Sequence, residues 1–173
     1  MERLIEISKN FFSELTDHEL YGDGITHIYF YFPLVSKTVT LLQEEIRNSQ
    51  MSSFEGVIKK PKPIVVHIDS PGGVSSFGIT LANIITEIRV PFAVIVDGYA
   101  CSAITPFVVT APYRIMNEYS LFLIHESSAS ITGKRGDVNW FHEYMSKIGK
   151  NYIESYEQNT NIPEDDLIEL LTR

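Results

Sequence analysis

Three apolar segments of the chain are each followed by residues that suit acyl transfer. Ser70-Pro71-Gly72-Gly73 follows IVVHID, a run of small residues containing Ser102 follows FAVIV, and His125 ends SLFLIH. A serine hydroxyl is a weak nucleophile until a neighbouring base accepts its proton. The tetrahedral intermediate carries an oxyanion that needs N–H donors. The hydroxyl, the imidazole and the two small-residue turns are therefore the parts of a hydrolase site.

We assign Ser102 as the candidate nucleophile and His125 as its base. The amides of Gly73 and Ala103 can serve as the two donors if their turns face each other, because glycine lets backbone approach closely. Cys101 is a second candidate nucleophile, but an isolated cysteine in apolar surroundings is typically a small core residue. Each feature alone has an ordinary structural explanation, so the assignment rests on their combination.

The elements that position these residues alternate along the chain. The pattern predicts strands at 27–32, 64–69, 92–96 and 120–125, and helices at 35–48, 75–88, after Ser102, at 137–158 and at 163–171. Strands that are apolar throughout favour a largely parallel sheet with helices on both faces, an α/β fold. Ligands gather at the carboxyl ends of such strands. Asp137 is the predicted N-cap of the long helix, and residues 59–63 are predicted to form a basic loop.

Composition excludes several classes of protein. At 173 residues the chain fits one domain, and its net charge of −8 argues against nucleic acid or an anionic membrane as principal partner. A single cysteine excludes a disulfide scaffold, and no apolar run approaches the ~20 residues of a membrane span. We expect a cytoplasmic protein, with residues 1–24 as an arm containing a short amphipathic helix and residues 25–173 as the domain.

From about Ile28 to the end, the sequence resembles the ClpP family, the serine peptidase subunits of the Clp chamber proteases. The resemblance is carried by HIDSPGGV, DGYACSA and LIHESSASITGKRGDV. It implies a ClpP/crotonase-type α/β spiral with residues 137–158 as a handle helix. It also implies Ser102 as nucleophile, His125 as base and the Gly73 and Ala103 amides as oxyanion hole. The stretch from Glu126 to Thr132 would be the strand on which substrate pairs, and the substrate-binding residues would be Gly72, Val74, Glu126, Ser127 and Ser128.

The resemblance further implies extended polypeptide substrates and no metal or organic cofactor. It implies self-association into a heptameric ring, single or double, and a Clp-type unfolding ATPase as partner. Nucleic acid and membrane are not expected partners.

The sequence departs from the family pattern at both ends. Leu171-Thr172-Arg173 occupies the tripeptide that precedes the family's catalytic acid, so we expect this chain to be either a fragment or a protein without that acid. Asp165, Asp166 and Glu169 are explained as a solvated helix face and are not assigned the role. Residues 1–24 do not match the family, and Ile104 and Pro106 are unusual at the nucleophile turn.

Three other interpretations stay open or are weighed against the first. A catalytically silent ring subunit would keep the fold without the chemistry. A crotonase-type acyl-CoA enzyme shares the two-amide oxyanion hole but would leave Ser102 and His125 without a purpose. A Ser-Lys peptidase needs a lysine near the nucleophile, and residues 90–133 contain none.

Overall fold

The structure is a computed structural model, and it describes residues 1–51, 53–54, 57–58 and 61–171. Seven α-helices and seven strands are found in this part of the chain. The helices are α1 Glu2–Phe12, α2 Asp17–Leu20, α3 Ser36–Ser49, α4 Ser75–Ile84, α5 Thr105–Thr110, α6 Arg135–Asn159 and α7 Glu164–Leu171. The strands are β1 Thr26–Phe30, β2 Ser53–Phe54, β3 Val57–Ile58, β4 Ile64–Ser70, β5 Phe92–Cys101, β6 Tyr113–Met116 and β7 Leu121–Leu123.

The main sheet has the strand order β1-β4-β5-β6, with β7 also paired to β5, and every pairing in it is parallel. The predicted α/β class with a parallel sheet, helices and a long C-terminal helix is therefore confirmed. Strand β5 is longer than predicted because it serves two partners. Its first half pairs with β6 from Ala93 to Val96, and its second half pairs with β7 from Tyr99 to Cys101.

Each face of the sheet is covered by helices, which explains why the strands are apolar throughout. One face packs against α3, α4 and α5 through residues that include Val66, Val94 and Phe107. The other face packs against the first 24 residues, where Phe12 and Leu20 contact the sheet residues Val65, Ala93 and Ile95. Helix α1 is also hydrogen-bonded to the sheet, because the Phe92 amide donates to the buried Ser8 hydroxyl at 3.0 Å.

Several predicted boundaries are corrected by the structure. Helix α4 ends at Ile84 and continues only as a 3₁₀ turn, Ile85–Glu87. Strand β6 and the short β2–β3 hairpin were not predicted, and residues 59–60 of the predicted basic loop lie outside the described part of the chain. The prediction of Asp137 as N-cap is wrong: α6 begins at Arg135, and the Asp137 carboxylate, one turn in, accepts a hydrogen bond from the Lys134 amide at 3.0 Å.

Candidate active site

Ser102 lies at the junction where β5 ends and a helical segment begins. Strand β5 ends at Cys101, and Ser102 opens a 3₁₀ turn that leads directly into α5. Its φ of 58° is the only positive value at a non-glycine residue in the described chain. Such a conformation costs on the order of 1–3 kcal/mol and persists only where the surroundings enforce it. A strained turn from strand to helix is also the geometry that presents a nucleophilic serine at the end of a sheet.

The glycine pair packs directly against this turn. Gly72 has a φ of 83°, and a Cβ added there would lie 2.8 Å from the Ala103 nitrogen and 2.8 Å from the Ser102 Cβ. Gly73 has a φ of 152° and adjoins the Leu34 backbone. Only glycine fits this close approach at Gly72. The two turns therefore face each other. This arrangement is required if the Gly73 and Ala103 amides are to form one oxyanion hole, as predicted from the sequence.

Neither the Gly73 amide nor the Ala103 amide donates to a turn, loop or cap acceptor among the described residues. The backbone around Gly73 is anchored by its neighbours instead, since the Leu34 amide donates to the Gly72 carbonyl at 2.7 Å and the Val74 amide donates to the Leu34 carbonyl at 3.1 Å. Ala103 lies in the first turn of a helical segment, where N–H groups have no intrahelical partner. Two free donors thus flank the backbone of the Ser102 turn.

His125 follows β7, whose parallel register with β5 brings it to the same edge of the sheet. Cys101 pairs with Leu123, so Ser102 and His125 follow the paired ends of neighbouring strands by one and two residues. The imidazole is exposed. In the described part of the chain it has neither a hydrogen bond to Ser102 nor an ion pair with a carboxylate. Catalytic hydrogen bonds are often long or misaligned without substrate, so this arrangement is compatible with a base.

The predicted substrate-binding residues surround the same edge. The Ser127 hydroxyl lies 3.0 Å from the hydroxyl of Ser75, the first residue of α4. Glu126 and Ser127 line a cavity of about 290 Å³ against α6. Val74 and Ser128 are exposed. The stretch from residue 126 to residue 132 belongs to no strand in this structure, because β7 ends at Leu123.

The structure also shows the surroundings of two alternatives from the sequence, Cys101 as nucleophile and the carboxylates near the end of the chain as the acid. Burial, with the nearby charge of Asp69, raises the pKa of the Cys101 thiol. A raised pKa leaves less thiolate, the reactive form, so Cys101 is a poor rival to Ser102. Asp165, Asp166 and Glu169 occupy exposed positions on α7.

Comparison with known proteins identifies the family. The profile of the Clp protease family matches residues 35–173. The chain belongs to the Clp protease family. A curated relative named ATP-dependent Clp protease proteolytic subunit 1, from Chlamydia pneumoniae, is 30% identical over 113 residues. That alignment spans 62% of this chain and 59% of the relative's length. The predicted family is thus confirmed, and the fold is the one expected of a Clp protease.

Two features are absent from the described residues of this Clp protease family member. None of its described helices is long and apolar enough to cross a membrane. No cluster of three or more His, Cys, Asp or Glu side chains in the same residues is arranged to hold a metal ion.

Sequence reasoning missed a second group of polar side chains, which we call the histidine cluster. It lies on the sheet face shared with α2 and comprises His27, Tyr31, His67, Asp97 and Asn117. His67 is only 2% exposed, and its Nδ1 lies 2.9 Å from Asp97 Oδ2. Its Nε2 lies 3.0 Å from His27 Nδ1. Both histidines and Asp97 fall at alternate positions of neighbouring strands, a signal that becomes visible only when the strand register is known.

Sequence reasoning also missed two tyrosines of α6. Tyr152 donates to the Ser75 carbonyl at 3.0 Å, and its hydroxyl lies 3.5 Å from the Ala103 carbonyl. Tyr156 is hydrogen-bonded to Thr105, and both residues are fully buried. These contacts join the long helix to both turns of the candidate site.

Proposed function

We propose that this protein is a Clp-type serine endopeptidase that cleaves extended polypeptides. Ser102 attacks the scissile carbonyl carbon while its proton passes to His125, and the amides of Gly73 and Ala103 stabilise the oxyanion. His125 then returns the proton to the leaving amine, and water hydrolyses the acyl-enzyme by the same route. No metal or organic cofactor is needed for these steps.

The observation that carries this proposal is the left-handed backbone of Ser102, held against Gly72 between two free amides. Strain of this kind needs a reason, and the presentation of a nucleophile beside two donors supplies one. The same conformation would serve no purpose in a crotonase-type site, where the two amides act without a serine nucleophile. We further propose that the subunits form a heptameric ring in the cytoplasm and receive unfolded chains from a Clp-type ATPase.

A fluorophosphonate probe tests the nucleophile on the full-length protein. We expect the wild type to be labelled at Ser102 and Ser102→Ala to lose labelling, while Cys101→Ser keeps it. Labelling that persists in Ser102→Ala, or that moves with Cys101, would remove the assignment. Mass measurement and negative-stain imaging of the same samples test the ring.

A catalytically silent ring subunit is the second candidate. The observation that favours it is that Ser102 and His125 share no hydrogen bond in the described structure, and that His125 is exposed. The two candidates differ in one measurement. A protein that forms rings yet fails to react with the probe, alone and with active subunits, is the silent subunit.

A further inference from the structure

A chain of hydroxyl groups runs from α6 to the carbonyl of the candidate nucleophile. The Thr105 hydroxyl donates to the Ser102 carbonyl at 2.6 Å, and the Tyr156 hydroxyl is hydrogen-bonded to the same Thr105 oxygen. A threonine hydroxyl has one hydrogen to donate. Because that hydrogen is used on Ser102, Tyr156 must be the donor to Thr105. The direction of the chain is therefore Tyr156 to Thr105 to the Ser102 carbonyl.

The two side chains of this hydroxyl chain are buried, and the tyrosine hydroxyl keeps its proton. Tyr156 and Thr105 are both 0% exposed. Burial raises the pKa of Tyr156 to about 12, so its hydroxyl stays a donor throughout the physiological range. A buried polar network is costly when one member is unsatisfied and rigid when all are satisfied. The Ser102 carbonyl also accepts from the Thr105 amide, so two donors fix its direction.

The carbonyl of Ser102 and the amide of Ala103 belong to one peptide group. In a planar trans peptide the C=O and the N–H point in opposite directions. Two donors that hold the Ser102 carbonyl towards α5 therefore aim the Ala103 N–H the other way, away from α5. Fixing the carbonyl also fixes the ψ angle that follows the strained φ of Ser102.

We propose that Tyr156 and Thr105 are positioning residues that orient the Ala103 donor of the oxyanion hole. Neither residue touches the reacting atoms, and both act through the Ser102–Ala103 peptide. The inference rests on the proposed function for its kinetic test, although the orientation itself can be measured without activity. Tyr152 reinforces the arrangement from the next turn of α6, because its hydroxyl contacts Ser75 and Ala103.

The kinetic test uses Thr105→Val, Thr105→Ser and Tyr156→Phe in the full-length protein, with a fluorogenic peptide. Thr105→Val should lower kcat by about 10- to 100-fold, a part of the ~10²–10³-fold lost with a whole oxyanion donor, and leave KM within about twofold. Thr105→Ser keeps the hydroxyl and should restore most of the rate. Tyr156→Phe should give a smaller loss. A loss that appears only in KM, or a Thr105→Ser variant as slow as Thr105→Val, would show a packing role and overturn the proposal.

A double variant tests whether Tyr156 acts through Thr105 or supports the Ser102–Ala103 peptide independently. Because Tyr156 acts only through Thr105, Tyr156→Phe combined with Thr105→Val should be no slower than Thr105→Val alone. Additive losses would contradict the chain. Tyr144→Phe is the matched control, since this tyrosine lies on α6 but packs on Trp140 away from the turn. It should keep the wild-type rate.

Two further measurements keep the proposal testable if a variant folds poorly or the protein is silent. Thermal unfolding identifies a variant that does not fold. If Thr105→Val is such a variant, the kcat of Tyr156→Phe provides the kinetic test. If the wild type shows no hydrolysis, the proposed function fails while this inference is tested by crystal structures of the wild type and Thr105→Val. The Ser102–Ala103 peptide should rotate in the variant, and an unchanged peptide in Thr105→Val would overturn the positioning role.

Discussion

Two regions of the molecule combine a histidine with groups found in hydrolase sites, and they differ in how their polar atoms are satisfied. In the histidine cluster, Asp97 lies within hydrogen-bond distance of His67 at 2.9 Å, Tyr31 at 2.6 Å and Asn117 at 3.1 Å. At the candidate site, Ser102 and His125 make no side-chain hydrogen bond to each other in the described structure. The side-chain hydrogen bonds are therefore found in the region without the candidate nucleophile.

Backbone strain is found at the candidate site and not in the histidine cluster. The residues of the histidine cluster lie in or beside regular strands, whereas Ser102 alone among described non-glycine residues has a positive φ. The buried His67 needs a hydrogen-bond partner simply to be tolerated, so its pair with the partly exposed Asp97 has a structural explanation. Strain at a partly exposed serine has no such explanation. The candidate site is therefore chosen on backbone conformation rather than on the number of hydrogen bonds.

The largest expected effect comes from His125. Substituting His125→Ala should lower kcat/KM for peptide hydrolysis by on the order of 10⁴-fold or more, because the serine loses its base. The side chain is exposed, so the free energy of unfolding should change by less than about 0.5 kcal/mol. Peptide hydrolysis and thermal unfolding, measured on the same preparation, check both statements. A wild-type rate in this variant would mean that another group activates Ser102.

An intermediate effect is expected from His67, on stability rather than on activity. His67→Leu removes a hydrogen-bond partner from Asp97 and leaves His27 facing an apolar side chain. Two hydrogen bonds are lost, each contributing about 0.5–1.5 kcal/mol, so the free energy of unfolding should fall by about 1–3 kcal/mol. The rate of fluorophosphonate labelling per folded subunit should not change. If labelling slowed without a loss of stability, the histidine cluster would belong to the catalytic machinery and the contrast between the regions would disappear.

The smallest effect is a pH dependence of stability that originates at His27. Burial, and then the neighbouring His67, lower the pKa of His27 below its ordinary value of 6.5. The unfolded chain therefore binds a proton before the folded protein does, and stability should fall as the pH drops below about 6.5. His27→Phe keeps an aromatic ring between Tyr21 and Tyr29 and should reduce this loss. Urea unfolding between pH 7 and pH 5 measures it.

The control for this pH dependence is His18→Gln, which changes the exposed histidine of α2. This variant should keep the wild-type slope of stability against pH. If His27→Phe also kept that slope, the acid sensitivity would have to come from carboxylates elsewhere in the chain.

The parts of the site that follow from local sequence were predictable. Apolar runs ending in small or polar residues located the strand ends, and the Gly72–Gly73 pair marked a close approach of backbone that the structure reports at Ser102 and Ala103. The family assignment followed from the same motifs.

Other parts depend on which residues meet across long separations. Thr105 and Tyr156 are 51 residues apart, and His27 and His67 are 40 apart, so their contacts require the packing of α6 and the strand register. The strain at Ser102 was also invisible, because its neighbours Cys101 and Ala103 carry no signature of a positive φ.

Gly78 lies where helix α4 packs directly against the turn at Ser102. A methyl group at this position would lie 1.9 Å from the Ala103 carbonyl oxygen and 2.8 Å from the Tyr152 hydroxyl. Real side chains do not tolerate such separations, so in a library of all substitutions this codon should tolerate no replacement. Helix α4 and the turn at Ser102 are therefore in direct contact, so a displacement of α4 would press on the peptide bond that follows Ala103.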